Sequence, residues 1–168
     1  GGALTQDANG EITATGLEVI VGAGGATLTQ ANDIDTFAAN VTGALSLTDT
    51  DGFVLDAVGA TNDVTGSSTI TFTSGGAVTQ AGGNGELFAT TGLELLGGGS
   101  YTLTQALNDI NTLAGNVTGA ISVTDVGPLL LTTVGGTSDL QSASTITLNT
   151  GGALTQDANG EITATGLE

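Results

Sequence analysis

The feature that most constrains the fold of this chain is a letter-for-letter internal repeat. Residues 151–168 repeat residues 1–18, and residues 75–94 are a looser third copy. An internal period of this kind is typical of repeat architectures, in which each repeat packs mainly on its neighbours. We therefore divide the chain, as a single repeat array, into two units and the start of a third: 1–74, 75–150 and 151–168.

Each unit contains a shorter period of about 25 residues, a length within the range that is typical of solenoid repeats. The phrase Leu-Thr-Gln recurs, with variants that keep its apolar first residue, at positions 4, 28, 54, 78, 103, 130 and 154. Runs in which apolar residues flank a polar one recur with it, as in Leu45-Ser46-Leu47. Alternation at period two predicts a β-strand with one buried face and one exposed face.

These periods predict an all-β fold, a parallel β-helix or β-solenoid. We expect about 25 residues and three short strands per turn, about seven turns in the chain, and three turns in each full unit. A right-handed coil follows from the general preference of parallel crossover connections. Thr, Gly and β-branched residues dominate, and no stretch has sustained helical periodicity, so helix should be nearly absent.

With three whole turns per unit, equivalent residues of two units lie in one vertical row. Glu18 and Glu94 would then share a row, three turns apart. The outward strand row is Glu18, Ser46, Thr71, Glu94, Ser122 and Thr147. A second row of amide side chains, able to hydrogen-bond along the stack, is Gln6, Gln30, Gln80, Gln105 and Gln156.

The charge of the chain restricts its partners. It has 17 Asp and Glu residues and no Lys, Arg or His. Without cations it cannot neutralise phosphates, which excludes nucleic acid as a direct partner and makes an anionic membrane surface repulsive. No apolar run approaches the roughly 20 residues of a spanning helix, so no membrane insertion is expected. The absence of Cys removes disulfides and thiolate metal sites.

Calcium is the one cofactor that the sequence suggests. Thr48-Asp49-Thr50-Asp51-Gly52 resembles the start of a D-x-D-x-D-G loop without its third Asp, and the equivalent segment 124–128 retains only Asp125. Carboxylate oxygens are the ligands that Ca²⁺ prefers. Asp49, Asp51 and Asp125 are therefore candidate metal ligands, and the alternative is that they lie in solvated acidic corners. No other metal or cofactor is expected.

Two further classes of function are weaker. Thr69-Ile70-Thr71 and Thr145-Ile146-Thr147 resemble the Thr-x-Thr pairs of ice-binding solenoids, but the same row carries Glu or Ser in two turns of three. A polysaccharide-cleaving enzyme would use paired carboxylates, yet Glu11, Glu86 and Glu161 follow the repeat, and the chain has no His, Lys or Arg to assist them. We predict no catalytic residue and no enzymatic activity.

The phrases GEITATGLE, LTQALNDINTLAGNVTGAISVTD and VGGTSDLQSASTITLNTGGALTQ resemble repeat regions of filamentous-haemagglutinin-type exoproteins, large bacterial surface adhesins exported by two-partner secretion. The resemblance covers essentially the whole chain, and it rests on Gly/Thr/Leu phrases. It implies a right-handed parallel β-helix, an extracellular location at the bacterial surface and a stalk or adhesive role. The repeated first and last segments suggest a window from a longer array, with any secretion signal or cap outside it.

We therefore expect a structural segment, part of a stalk or fibre. Its expected partners are neighbouring repeats, or further copies joined end to end into filaments, because uncapped turns expose unpaired strand edges. The alternative is a ligand-binding solenoid that is stabilised by Ca²⁺ or holds a carbohydrate. Tyr101 is the only Tyr and there is no Trp, which weakens the carbohydrate version. The residues name no host or cell-surface ligand.

Overall fold

A computed structural model describes residues 1–168, which form 22 β-strands and no helix. All pairings between strands are parallel, in two sheets of eleven strands. The first sheet contains β1 (Leu4–Thr5), β2 (Thr13–Ala14), β4 (Ala26–Ile34), β6 (Leu45–Asp49), β9 (Thr69–Ser74), β12 (Gly92–Gly97), β15 (Thr112–Val117), β17 (Leu129–Leu131), β18 (Leu140–Ser142), β20 (Leu154–Gln156) and β21 (Ile162–Thr163). The second sheet contains β3 (Leu17–Val21), β5 (Thr36–Val41), β7 (Val54–Leu55), β8 (Val64–Gly66), β10 (Val78–Gln80), β11 (Leu87–Ala89), β13 (Tyr101–Leu103), β14 (Asp109–Ile110), β16 (Ile121–Asp125), β19 (Thr145–Thr150) and β22 (Gly166–Leu167).

The strands stack as a β-solenoid of about seven turns, as the sequence predicts. Leu45 pairs with Ile70, Ile70 with Leu93, and Leu93 with Leu113, so each strand lies on the strand one turn before it. A turn has about 23 residues, slightly fewer than the sequence predicts. Individual steps differ in length, and the step from Thr36 to Val54 is shorter than the step from Leu45 to Ile70.

One unit of the sequence repeat does not contain a whole number of solenoid turns. Seven pairing steps lead through the first sheet from Leu4 to Gln156. The offset that relates β5 to β15, from Thr36 to Thr112, fits twice into this span. One such offset therefore makes three and a half turns rather than three, and equivalent strands alternate between sheets: β5 lies in the second sheet and β15 in the first.

The predicted vertical rows are therefore wrong in register. Thr71 lies between Ser46 and Glu94 in the first sheet, but Glu18 pairs with Ala38 in the second sheet. Ser122 and Thr147 also pair in the second sheet. The amide row divides in the same way, and its neighbouring members are hydrogen-bonded: the Gln30 N–H donates to Gln6 Oε1 (3.1 Å) and the Gln105 N–H to Gln80 Oε1 (3.0 Å).

Inward-facing residues of both sheets form one continuous apolar core of 31 buried residues. Three aromatic rings meet there edge to face, with centroids 6.1 Å apart for Phe37 and Phe53, 6.3 Å for Phe37 and Phe72, and 5.3 Å for Phe53 and Phe72. Tyr101 is fully buried, and its hydroxyl donates to the carbonyl oxygen of Leu96 (2.7 Å). The core is therefore an apolar column along which turns can be added, since each turn buries its apolar face on the next.

Candidate functional site

Two of the three candidate calcium ligands point into the fold. Asp49 and Asp125 end β6 and β16 and are each 2% exposed. The Asp49 carboxylate accepts the N–H of Ile34 (3.3 and 3.4 Å), and the Asp125 carboxylate accepts the N–H of Ile110 (2.7 Å) and of Gly127 (2.9 Å). Burial raises the pKa of Asp49 to about 6, and it also raises the pKa of Asp125. These carboxylates connect one turn to the turn before it.

The third candidate, Asp51, is exposed close to Asp49. Asp33 and Asp35 of the preceding turn are exposed beside them, and repulsion from the three raises the pKa of Asp49 further. Asp125 lies three and a half turns away, so the structure divides the predicted ligands between two corners. No group of three or more His, Cys, Asp or Glu residues is arranged to hold a metal ion. Calcium binding therefore stays a prediction.

The structure adds two buried amides that the sequence analysis did not single out. Asn108 is fully buried, and its Oδ1 accepts the N–H of Leu87 (2.9 Å) and the Nε2 of Gln80 (2.7 Å). Its Nδ2 donates to the carbonyl oxygens of Leu103 and Thr124, both at 3.1 Å. One side chain thus connects three successive turns.

Asn32 occupies the same position in the first unit and is also fully buried. Its Oδ1 accepts the N–H of Ile12 (3.0 Å) and the Nε2 of Gln6 (2.7 Å), and its Nδ2 donates to the carbonyl oxygens of Leu28 (3.1 Å) and Thr48 (2.9 Å). The sequence signal for both is the repeated phrase Asn-Asp-Ile, at 32–34 and 108–110. Because the phrase contains Asp, from sequence alone it looks like a solvated acidic corner.

Two hairpins interrupt the regular coil. The first hairpin, residues 56–63, lies between β7 and β8, and the second hairpin, residues 132–139, lies between β17 and β18. Each closes on an antiparallel bridge, Val58 with Thr61 and Val134 with Thr137. Each hairpin folds back over the outward face of its sheet and reaches the strand two turns before its own.

A glutamate holds each hairpin in place. Glu94 of β12 is 6% exposed, and its carboxylate accepts the Thr71 hydroxyl (2.8 Å) and the Thr137 N–H (3.2 Å). Glu18 of β3 accepts the Ala60 N–H (3.0 Å). Hydrogen bonds from the Thr61 side chain and the Ala60 N–H lower the pKa of Glu18. Both glutamates belong to the row that the sequence predicts to face solvent, yet each accepts hydrogen bonds from the chain's own backbone.

Asp63 and Glu86 are neighbouring carboxyl groups on adjacent turns. The Glu86 N–H donates to Asp63 Oδ1 (3.2 Å), and the hydrogen bond with the Asp63 side chain raises the pKa of Glu86. Both residues are half-buried at a corner. Neither lines one of the two concave regions of the molecule.

The larger concave region, about 490 Å³, is the open first turn of the solenoid, lined by Leu4, Gln6, Ile12 and Leu17 among others. The smaller one, about 310 Å³, is a polar groove on the outward face beside Asn116 and Gln141. The chain forms no helix, and therefore none that could span a membrane. The chain matches no protein-family model, no curated protein and no solved structure.

Proposed function

We propose that this chain is a rigid structural segment, a stalk or fibre element of a large extracellular adhesin at the bacterial surface. The observation that carries the proposal is the uninterrupted parallel pairing through about seven turns over one continuous core. At about 4.8 Å per turn the segment is a rod about 34 Å long. A rod of this kind transmits position and force along its axis.

The buried polar and charged side chains form hydrogen bonds within the solenoid. Asp49, Asp125 and Glu94 accept backbone N–H groups, and Asn32 and Asn108 connect three turns each. No buried side-chain nitrogen or oxygen lacks a hydrogen-bond partner. Buried polar groups that are fully satisfied specify one arrangement of the turns, which is what a rigid spacer needs.

The adhesin context and the surface location rest on the resemblance of the Gly/Thr/Leu phrases to filamentous-haemagglutinin-type repeats. A net charge of −17 also suits a stalk, since it repels neighbouring stalks and anionic surfaces.

Surface display tests the stalk role. The chain is placed between a bacterial surface anchor and a terminal epitope, as one copy and as two copies in tandem joined at the repeat. Axial fluorescence localisation of the epitope should show an added height of about 34 Å for one copy and about twice that for two. A height that does not grow with copy number would overturn the proposal.

The alternative is a rod that calcium stabilises. This alternative is supported by the repulsion of Asp49 by Asp33, Asp35 and Asp51, which a bound divalent cation would relieve. Thermal unfolding by circular dichroism, first with chelator and then with millimolar Ca²⁺, separates the two versions. An unchanged midpoint leaves the passive rod, whereas a large increase that is lost in the variant D51N identifies this corner as a site.

A further inference from the structure

One aromatic side chain that departs from the repeat lies on the outward face of the solenoid. Phe88 of β11 stands where the repeat has Thr13 and Thr163. It is half-buried, whereas its neighbours Leu87 and Ala89 are fully buried in the core. The other three Phe residues and the single Tyr are buried. Phe88 is therefore the one aromatic side chain that faces outward.

Two further apolar residues near Phe88 also depart from the repeat. Leu107 is inserted between phrases that otherwise match, Leu-Thr-Gln-Ala and Asn-Asp-Ile, and it is 60% exposed. The insertion divides the counterpart of the long strand β4 into β13 and β14. Val126 stands where the first unit has Thr50, and it is 49% exposed.

Strand pairing places these three residues on successive turns. Phe88 pairs with Asp109, which follows Leu107 by two residues. The Val126 N–H donates to the carbonyl oxygen of Asn108, the residue after Leu107 (2.8 Å). At about 4.8 Å per turn the three side chains span about 10 Å along the axis. We call Phe88, Leu107 and Val126 the apolar patch.

The matching surface of the first unit shows that the coil does not need these apolar residues. There Thr13 pairs with Asp33 in the way that Phe88 pairs with Asp109. Apolar side chains that are left in water gain free energy when a partner covers them. Neighbouring exposed apolar side chains with a polar rim are typical of interaction sites.

Carboxylates lie beside the apolar patch, and the chain has no Lys, Arg or His to neutralise them. Asp109 is exposed, and Glu86 precedes Phe88 by two residues on the outward side. The hydrogen bond with Asp63, and then burial, raise the pKa of Glu86. Burial, and to a smaller extent repulsion from Asp109, raise the pKa of Asp125. A cation from a partner would stabilise this surface, so the complementary partner is basic as well as apolar.

We propose that the apolar patch and the carboxylates beside it bind a protein segment in which basic residues flank an apolar residue. In an extended segment, residues two apart face the same side, so an apolar residue with Arg two positions to either side suits this surface. The apolar side chain packs on the patch, and the guanidinium groups pair with Asp109 and Glu86. A guanidinium group also stacks favourably on an aromatic face, which Phe88 provides. This partner role is separate from the stalk role, because it uses one side of the rod and leaves the stacking of turns unchanged.

A magnetic resonance titration of the isotope-labelled chain tests the proposal with a defined probe, the capped peptide Gly-Arg-Gly-Leu-Gly-Arg-Gly. Two control probes separate the contributions: citrulline in place of both Arg residues removes the charge, and Ser in place of Leu removes the apolar contact. We expect the largest shifts at the amides of residues 86–88, 107–109 and 126. The probe should bind at least about fivefold more tightly than either control probe.

The repeat itself supplies variants that are expected to fold. Phe88→Thr and Val126→Thr introduce the residue found at the equivalent positions, and each should weaken binding of the probe at least about threefold. Ile20→Thr is the matched control, because Ile20 is an exposed apolar residue three pairing steps from Phe88 on the same face. It should leave the affinity unchanged. Thermal unfolding by circular dichroism checks that all three variants remain folded.

Several results would overturn the proposal. They are the absence of localised shifts at millimolar probe, equal binding of the citrulline probe, and unchanged affinity in Phe88→Thr and Val126→Thr. Shifts spread over the exposed acids of the first unit would report charge alone. Localised shifts with maltotetraose but not with the peptide would assign the patch to a glycan. Dimerisation that light scattering detects and Phe88→Thr abolishes would assign it to a second copy.

Discussion

The buried amide Asn108 provides the sharpest test of how the turns are held together. Leu is similar in size but cannot hydrogen-bond, so Asn108→Leu keeps the packing and removes the bonds. The substitution leaves the Leu87 N–H and the Leu103 and Thr124 carbonyls without these partners, whereas the Gln80 amide keeps its bond to the Gly85 carbonyl. An orphaned buried group costs about 1–3 kcal/mol, so three groups cost at least about 3 kcal/mol.

Burying a Leu side chain returns about 2 kcal/mol, which leaves a net loss of at least about 1 kcal/mol. For a chain of this size about 1 kcal/mol lowers the melting temperature by about 2–4 °C. We therefore expect the Asn108→Leu midpoint to fall by at least about 2 °C.

Thermal unfolding followed by circular dichroism measures this change. Asn116→Leu is the matched control, because Asn116 is exposed on β15 and should tolerate the same substitution within about 0.5 kcal/mol. If Asn108→Leu melts with the control or above it, the amide does not connect the turns and the reasoning fails.

The remaining predictions concern the acidic corner, a tight turn and a hairpin. Because burial raises the pKa of Asp49 to about 6, the folded chain holds this proton more tightly than the unfolded chain, so the free energy of unfolding should rise as pH falls from 7 to 5. Denaturant titrations at both pH values should show a smaller rise for Asp49→Asn, and an equal rise would contradict the assignment. Gly85 has φ +75°, and a Cβ there would clash with the Leu55 carbonyl. Gly85→Ala should therefore lower the free energy of unfolding by more than about 1 kcal/mol in the same titration. Gly82→Ala is the control and should change it little, because a Cβ at Gly82 would lie in open space. Ala114 pairs with Glu94 under the second hairpin, and it is fully buried although it faces outward. The larger side chain of Ala114→Leu should therefore displace the hairpin and speed its proteolysis relative to wild type. An unchanged cleavage rate would show that the hairpin does not lie over this strand.

The architecture was predictable because the same pattern of apolar and polar residues recurs several times along the chain. Period-two runs such as Leu45-Ser46-Leu47 identify inward and outward residues, and the structure buries Leu45 and Leu47 while Ser46 faces outward. A pattern that recurs once per turn leaves little choice other than stacking.

The register was not predictable, because similar phrases do not fix how many residues a turn contains. The phrases at Leu28 and Val54 look equivalent, but Leu28 pairs with Leu47 in the first sheet and Val54 pairs with Thr79 in the second. Turn length depends on corners and on the two inserted hairpins, whose conformations the spacing of apolar residues does not report. An error of half a turn per unit is therefore invisible in the sequence.

The candidate site was only partly predictable, for a related reason. Asp49 and Asp51 stand out because paired acids are conspicuous in sequence, but residue type does not tell whether a carboxylate faces water or a backbone N–H. The sequence did not identify Asn32, because whether an amide is buried depends on where it lies within its turn. Its role becomes visible only when Gln6 and Thr48 are placed on either side of it.

The most direct test of the central claim, a solenoid with three and a half turns per unit, is a comparison of two disulfides on the outward face. Ile20 and Asn40 are exposed partners on β3 and β5, whereas three whole turns per unit would place Ile20 beside Thr48. Under mild oxidation, monitored by the mass of the monomer, the variant I20C/N40C should close an intramolecular disulfide and I20C/T48C should remain reduced. Closure of I20C/T48C with I20C/N40C left open would contradict the register on which the account depends.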